Sequence, residues 1–247
     1  MMKDLSFLKT YQYAHRGLFT KDQKVPENSL LAFKKALEKG YAIELDLNIT
    51  KDFIPVSFHD FNLKRLCGVD QNIDEITYNE LQKITYQPSL EKIATLREVL
   101  ELVDGKMPLL IELKPHGNVI KLCESVMKEL KDYKGLYAIF SFHPSVVYWF
   151  KKHEPDVIRG QISETFKDQK LSFIQRYLLR TMFFNLFTKP DFISYGIHDL
   201  PYQKLDRLKK KGMTIISYAA RSQAQYDFVR SRYDNVVFEF FLPKDAK

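Results

Sequence analysis

At 247 residues and 45% hydrophobic content, the chain is long enough for one large domain or two small ones and rich enough for a substantial core. Its 38 Lys and Arg against 31 Asp and Glu give a formal net charge of +7, which suits phosphate compounds, nucleic acid or an acidic membrane surface without choosing among them. Cys67 and Cys123 are too few for a disulfide framework or a Cys-rich metal site and read as ordinary reduced thiols; no compact Lys/Arg run or zinc-finger spacing favours nucleic acid. The N-terminal MMKDLSFLKTYQYAHRG has no continuous apolar core followed by a cleavage-like site, and no apolar run reaches the roughly 18 residues of a spanning helix. A cytoplasmic protein is the expectation.

Residues 11–16 (YQYAHR) predict a short first strand ending in His15-Arg16-Gly17. PENSLLAFKKALEKG then opens a helix that Asn28 or Ser29 can cap, since either side-chain oxygen can accept from the free N–H groups of the first turn. Leu30, Phe33 and Leu37 form its apolar stripe, and Gly40 closes it. Residues 42–49 predict a strand whose side chains alternate: Ile43, Leu45, Leu47 and Ile49 on one face, Ala42, Glu44, Asp46 and Asn48 on the other. The β–helix–β order suggests a parallel pair. After the turn TKDF, Pro55–Phe58 predicts a third strand leading into His59-Asp60.

Residues 61–90 read as an irregular, polar insertion with one short helix near 78–84. A helix at 95–103 and a buried strand at 108–113 follow, the latter alternating Ile111 and Leu113 with Glu112 and Lys114. Beyond them the pattern predicts helix 118–131, strand 137–142, helix 145–152, strand 157–161, a helical stretch 168–187, strand 191–195, helix 202–211, strand 213–218, helix 223–231 and strand 235–239. Alternating strands and helices imply a parallel sheet, and about eight strands favour a closed barrel over an open doubly wound sheet. No Gly/Ser/Pro-rich linker divides the chain, so a single domain over 1–247 is expected.

In a barrel, reactive groups belong at the C-terminal ends of strands. His15 and Arg16 end the first predicted strand, Glu44 and Asp46 lie on the second, His59 ends the third, and Glu112 and Lys114 lie on the next. Three carboxylates can hold a hard divalent cation such as Mg²⁺ or Ca²⁺. Two imidazoles can serve as base and acid, and Arg16 and Lys114 supply positive charge for a phosphate. Together these describe metal-assisted phosphoryl transfer. The competing reading makes Glu44–Lys114 and Asp46–Arg16 structural ion pairs inside a barrel, and without further information the two weigh about evenly.

The segments AHRG (14–17), PENSLLAF (26–33), IELDLNITKDFIPVSFHD (43–60) with Leu63 and Arg65 beyond it, LREVLELV (96–103) and IELKP (111–115) resemble the glycerophosphodiester phosphodiesterase family. The resemblance implies an α/β fold, a TIM (β/α)8 barrel with a small insertion at about 61–90, after the third predicted strand. It implies one divalent cation, Mg²⁺ or Ca²⁺, on Glu44, Asp46 and Glu112, with His15 and His59 as the acid/base pair and Arg16 and Lys114 facing phosphate. The implied reaction hydrolyses a glycerophosphodiester to glycerol 3-phosphate and an alcohol. His15 is assigned as base and His59 as acid, an order the sequence leaves open. Two alternatives stand beside it: a lysophospholipase D-like enzyme taking lysophospholipids, and a catalytically silent barrel that binds phosphate ligands or a partner.

The later half matches more loosely, through Ser141-Phe142 and the alternating strands. Where the family commonly ends a strand in Trp-Thr and the last in Thr-Asp, this chain has IISYAA (215–220) and VVFEF (236–240). Ser217 or Tyr218 stands in place of the Trp, and Glu239 falls near the acidic position, which bears on substrate identity. The stretch 171–187 (LSFIQRYLLRTMFFNLF) is unusually apolar and fits either a barrel helix with a broad buried face or a peripheral membrane contact, the former favoured about two to one. Trp149 is expected to pack within a helix. His116, His143, His153 and His198 are expected in surface or loop roles, His143 being the one nearest a strand end.

Overall fold

The computed structural model describes residues 3–167 and 169–244, which form two compact units: residues 13–137, and the segment from 138 onward together with the N-terminal residues up to 12. The first unit contains β1 (Tyr13–His15), β2 (Ala42–Ile49), β3 (Pro55–Ser57) and β4 (Leu109–Leu113); the second contains β5 (Tyr137–Ser141, whose first residue belongs to the other unit), β6 (Arg159–Ser163), β7 (Phe192–Gly196), β8 (Thr214–Ala220) and β9 (Asn235–Phe238). β1, β2 and β4 pair in parallel, as do β5 to β9. These are the eight parallel strands of a TIM (β/α)8 barrel, the expected fold class.

β3 differs from its expected place. It is not a barrel strand but an antiparallel addition to β2, with Leu47 opposite Ser57 and Ile49 opposite Pro55. The turn at residues 50–54 is too short for a crossover, so the chain can only return alongside the strand it left.

In the first unit, helix Leu30–Glu38 is capped by Ser29, whose Oγ accepts from Ala32 N–H at 3.1 Å. It buries Ala32, Phe33 and Ala36 rather than the predicted Leu30–Phe33–Leu37 stripe. The small face permits close approach: Gly17, at φ +79°, sits where a Cβ would lie 2.8 Å from the Ala32 backbone. Helix Leu96–Val103 opens on a Thr95/Glu98 capping box and buries Leu96, Val99, Leu100 and Val103, each side chain contributing about 1.5–3 kcal/mol.

The insertion is less polar than its composition suggests. Two short helices, Lys64–Cys67 and Tyr78–Leu81, and a 3-10 turn at Ile73–Glu75 close over a core containing Phe58, Leu66, Ile73, Leu81, Tyr86 and Ile93. Cys67 belongs to that core, and burial pushes its thiol up to about 12; Cys123 is likewise buried and pushed up to about 12.

In the second unit, strand β6 begins at Arg159, two residues later than predicted. Its side chains alternate Arg159, Gln161 and Ser163 with Gly160 and Ile162, so no apolar row announces it. Gly160 accommodates the Phe192 ring, which would meet an added Cβ at 2.3 Å. An unpredicted helix, Ser6–Thr10, has no side-chain cap; it buries Phe7 and Leu8, and Asn235 Nδ2 donates to Leu8 O and Tyr11 O at 2.7 Å each.

The stretch 171–187 departs most from expectation. It forms two helices, Phe173–Arg180 and Asn185–Thr188, parted near Met182 at φ +53°; the expected helical start at Asp168 lies outside the described residues. Helix Phe173–Arg180 buries none of its residues, so the broad buried face is absent. Among the described residues, no helix is long and apolar enough to cross a membrane.

Candidate active site

Strand register brings the predicted residues of the first unit together. β1 and β2 place His15 opposite Glu44, and β2 and β4 place Asp46 opposite Glu112. Because side chains two apart share a face, Glu44 and Asp46 join one row, and Lys114 continues the Glu112 face just beyond β4. Lys114 N–H donates to Leu47 O at 3.0 Å, extending the ladder. Since β3 runs antiparallel, it carries the chain back beside β2, and Phe58 N–H donates to Asp46 O at 3.1 Å. His59 therefore returns to the level of the carboxylates instead of standing at the end of its own barrel strand.

Glu44, Asp46 and Glu112 are all buried, and each offers an oxygen within 4.8 Å of the others. Two partly buried cations face them. The Lys114 ammonium lies 2.6 Å from Glu112 Oε1 and 3.2 Å from Asp46 Oδ1, and Arg16 Nε lies 3.2 Å from Asp46 Oδ2. Arg16 has φ +55°, and in that conformation its backbone N–H donates to Glu44 Oε2 at 3.0 Å. The Asp46–Arg16 pair of the competing reading is thus present, while Lys114 serves Asp46 and Glu112. Two cations against three carboxylates leave a negative excess.

Burial pushes the Glu44 carboxyl well above its ordinary range, and Asp46 and Glu112 push it further. Burial acts on Asp46 in the same sense, but Lys114 and Arg16 more than offset it and hold that carboxyl well below. Glu112 is raised by burial, which Lys114 only partly counters. For Lys114, burial favours the neutral amine, yet Asp46 and Glu112 outweigh it and keep the ammonium.

His15 Nε2 is 3.9 Å from Glu44 Oε2. His59 Nδ1 is 2.7 Å from Asp60 Oδ1. Burial raises the Asp60 carboxyl, but hydrogen bonds from His59 and Arg65 overcome it, so Asp60 stays ionised and accepts the Nδ1 proton. That leaves His59 Nε2 to pass a proton.

Several residues in this network carried no role in the sequence reading. Arg65 donates to both Asp60 oxygens, at 2.5 and 2.9 Å, and to Glu27 at 2.8 Å. Buried Glu27 also accepts from Arg16 Nη1 at 2.7 Å; burial raises its carboxyl, but Arg65 and Arg16 together bring it below the ordinary value. Asn28, one of two candidate caps, instead clamps Asp46: its Nδ2 donates to Asp46 Oδ2 at 2.9 Å and its Oδ1 accepts Asp46 N–H at 3.0 Å. Asn48 Nδ2 donates to Phe58 O at 2.7 Å and so fixes the approach to His59. Glu27, Asn28 and Arg65 lie within or beside the quoted motif segments, which was their signal.

The cluster fits a divalent cation. All its donors are hard carboxylate oxygens, their charge exceeds that of the facing cations, and buried Asp46 Oδ1 accepts no hydrogen bond. Glu44, Asp46 and Glu112 are the residues that would hold it.

The altered strand ends lie in the second unit. Ser217 is buried, its Oγ donating to Tyr195 O at 2.7 Å. The single Tyr218 O–H proton is shared between Ser163 O and Glu164 Oε2, both at 3.2 Å, and the ring meets Phe142 edge-on at 5.9 Å. Of the two, Tyr218 therefore supplies the aromatic surface. Glu239 is buried and accepts from Arg221 Nε at 2.6 Å. His116, His143, His153 and His198 are all exposed; His153 stacks on Trp149, centroids 4.9 Å apart.

The structure resembles that of an Oleispira antarctica phosphodiesterase in complex with the product sn-glycerol-3-phosphate, with a TM-score of 0.79 and 23% identity over 94% of this chain and 93% of that one. A Thermotoga maritima glycerophosphodiester phosphodiesterase gives a TM-score of 0.71 and 26% identity over 92% and 93%. In sequence, the chain is 30% identical to human glycerophosphodiester phosphodiesterase 1 over 59% of this chain and 46% of that protein. It is 35% identical to the rat lysophospholipase D GDPD1 over 44% and 38%. The chain spans about half the length of the curated relatives it matches first. A family model described as the glycerophosphoryl diester phosphodiesterase family matches residues 15–233, from His15 at the end of β1 to just before β9, and to that family the chain belongs.

Proposed function

We propose that the protein hydrolyses a glycerophosphodiester to glycerol 3-phosphate and an alcohol, using a divalent cation on Glu44, Asp46 and Glu112 and the His15/His59 pair for proton transfer. The observation that carries this reading is the trio of buried carboxylates within 4.8 Å, faced by two partly buried cations. A bound Mg²⁺ or Ca²⁺ would act there as a Lewis acid toward phosphoryl oxygens. Arg16 and Lys114 draw off charge that develops on the phosphate. His15 takes the proton of the attacking water or, where the substrate's own glycerol hydroxyl attacks, of that hydroxyl; the second route closes a cyclic phosphate that a water then opens to glycerol 3-phosphate. His59, oriented by Asp60 at Nδ1, returns a proton from Nε2 to the departing alkoxide. Asn28 and Glu27 keep Asp46 and Arg16 in place, so little reorganisation is left for the reaction itself.

The test is release of glycerol 3-phosphate from glycerophosphocholine and glycerophosphoethanolamine with Mg²⁺, Ca²⁺ or EDTA. Turnover with either cation that stops in EDTA is expected. Turnover undiminished by EDTA would reject the cation's part, and no turnover with either ion would reject the simple diesters as substrates. A second reading, a lysophospholipase D-like activity on lysophospholipids, is favoured by the match to the rat enzyme. It predicts that lysophosphatidylcholine is turned over faster than glycerophosphocholine at the same site.

A further inference from the structure

Helices Phe173–Arg180 and Asn185–Thr188 expose apolar surface where a barrel helix would bury it. Phe173 is 83% exposed, Ile174 and Leu186 69%, Phe187 55% and Tyr177 54%. Burial of Met182 and Thr188 ties the segment down, and Lys151 Nζ donates to Phe187 O. The apolar residues are thus held on the surface by the fold. Contiguous apolar surface of this kind marks an interaction site.

Beside them opens a groove of ≈ 970 Å³ whose wall includes Met182, Phe183, Ile193, Leu208 and Met213. Lys189, Lys204, Arg207 and Lys211 also line it, and among the described residues no Asp or Glu does. Next to Phe187, whose carbonyl Lys151 Nζ reaches, Lys151 and Lys152 stand over the exposed Tyr148 ring at 5.7 and 5.8 Å. Aromatic and aliphatic side chains set among cations are the composition of a helix lying in a membrane interface. A second copy of the chain is a poor occupant, because pairing the patch with itself would bring like charges together with no carboxylate in the groove to offset them. An anionic bilayer supplies both an apolar layer and phosphates.

We infer that this face docks on an anionic phospholipid surface, with Phe173, Ile174, Leu186 and Phe187 entering the headgroup–acyl boundary and Lys189, Arg207 and Lys211 meeting lipid phosphates. The inference stands apart from the hydrolytic reading, since none of these residues belongs to the active-site cluster.

Co-sedimentation of the full chain with vesicles of phosphatidylglycerol or of phosphatidylcholine tests it. The protein is expected to bind phosphatidylglycerol, to bind phosphatidylcholine far less, and to be released by salt. Replacing Lys189, Arg207 and Lys211 by Gln should weaken binding by about fivefold per cation, from about 1 kcal/mol each. Phe173→Ser combined with Ile174→Ser and Leu186→Ser should weaken it by at least about tenfold without changing the melting temperature, because these side chains are already in water. If the triple variant melts early, Phe173→Ser alone carries the test. No binding to phosphatidylglycerol would overturn the proposal, as would binding equal in wild type and both variants. A concentration-dependent dimer abolished by the apolar substitutions would also overturn it, assigning the face to a second copy.

Discussion

In residues 13–137 the carboxylates of Glu27, Glu44, Asp46 and Glu112 are buried, whereas in residues 138–244 large apolar side chains such as Phe173, Ile174 and Leu186 lie in water. Each unit holds side chains where solvation alone would not put them. Buried carboxylates are costly unless paired, and here pairing is incomplete: Asp46 is held ionised by Lys114 and Arg16, with its Oδ1 accepting no hydrogen bond, while Glu44 and Glu112 are pushed toward protonation. Exposed aromatic rings cost less, yet they too gain when something covers them. On the proposed readings the first unit would take a small hard ion and a phosphate, the second an extended apolar surface. Substitutions in the two should differ in kind.

The largest effect is expected from His59→Ala. Removing a positioned acid or base should lower kcat by roughly 10²–10⁴-fold with little change in melting temperature, because His59 is partly exposed. Steady-state release of glycerol 3-phosphate together with thermal denaturation reads both quantities.

Glu27→Ala should act mainly on stability. It leaves the partly buried Arg16 guanidinium with Asp46 and the half-exposed Arg65 with Asp60, a loss of about 2–3 kcal/mol, below the usual range for breaking a buried pair because both arginines keep a partner. Urea denaturation at neutral pH measures it.

Acid should reveal a smaller, graded loss. The Asp60 and Glu27 carboxyls are held below their unfolded values, so the unfolded chain binds protons more readily. Their contribution is present in full above about pH 5, where both carboxyls are ionised even in the unfolded chain, and disappears as the pH falls through the folded values. Asp60→Asn should flatten the acid limb of a stability–pH curve. In the second unit, Phe173→Ser should leave stability within about 0.5 kcal/mol and leave turnover of a soluble diester unchanged.

Much of this arrangement was legible in the sequence because alternation and motif spacing speak directly about register. Glu44 and Asp46 two apart on β2, with Glu112 and Lys114 two apart at β4, can only form facing rows once the strands pair in parallel. The short turn TKDF already implied a hairpin from β2 to β3; that β3 stands outside the barrel was not legible, since a three-residue strand reads alike as a barrel strand or as an addition to its neighbour. Asn28 was ambiguous because a residue that can cap a helix can equally accept φ +58° and turn its amide to a carboxylate. Strand β6 was misplaced because its rows are polar, and the break near Met182 carries neither Gly nor Pro to mark it. The apolar stretch 171–187 shows why composition does not fix burial: hydrophobicity tells that a segment seeks cover, while the packing around it decides whether the fold provides it.

The central claim is that Glu44, Asp46 and Glu112 form a cation site maintained at a cost to stability, and not a set of structural ion pairs. Thermal denaturation of wild type and Glu44→Gln, each in EDTA and in Mg²⁺ or Ca²⁺, tests it most directly. The glutamine can still accept Arg16 N–H while removing one of three crowded carboxylates. The account predicts that Glu44→Gln melts above wild type in EDTA. Cation should raise the wild type by on the order of 2–4 °C per kcal/mol of binding energy and leave the variant nearly unmoved. A variant that melts below wild type in EDTA, with a wild type indifferent to either cation, would contradict it.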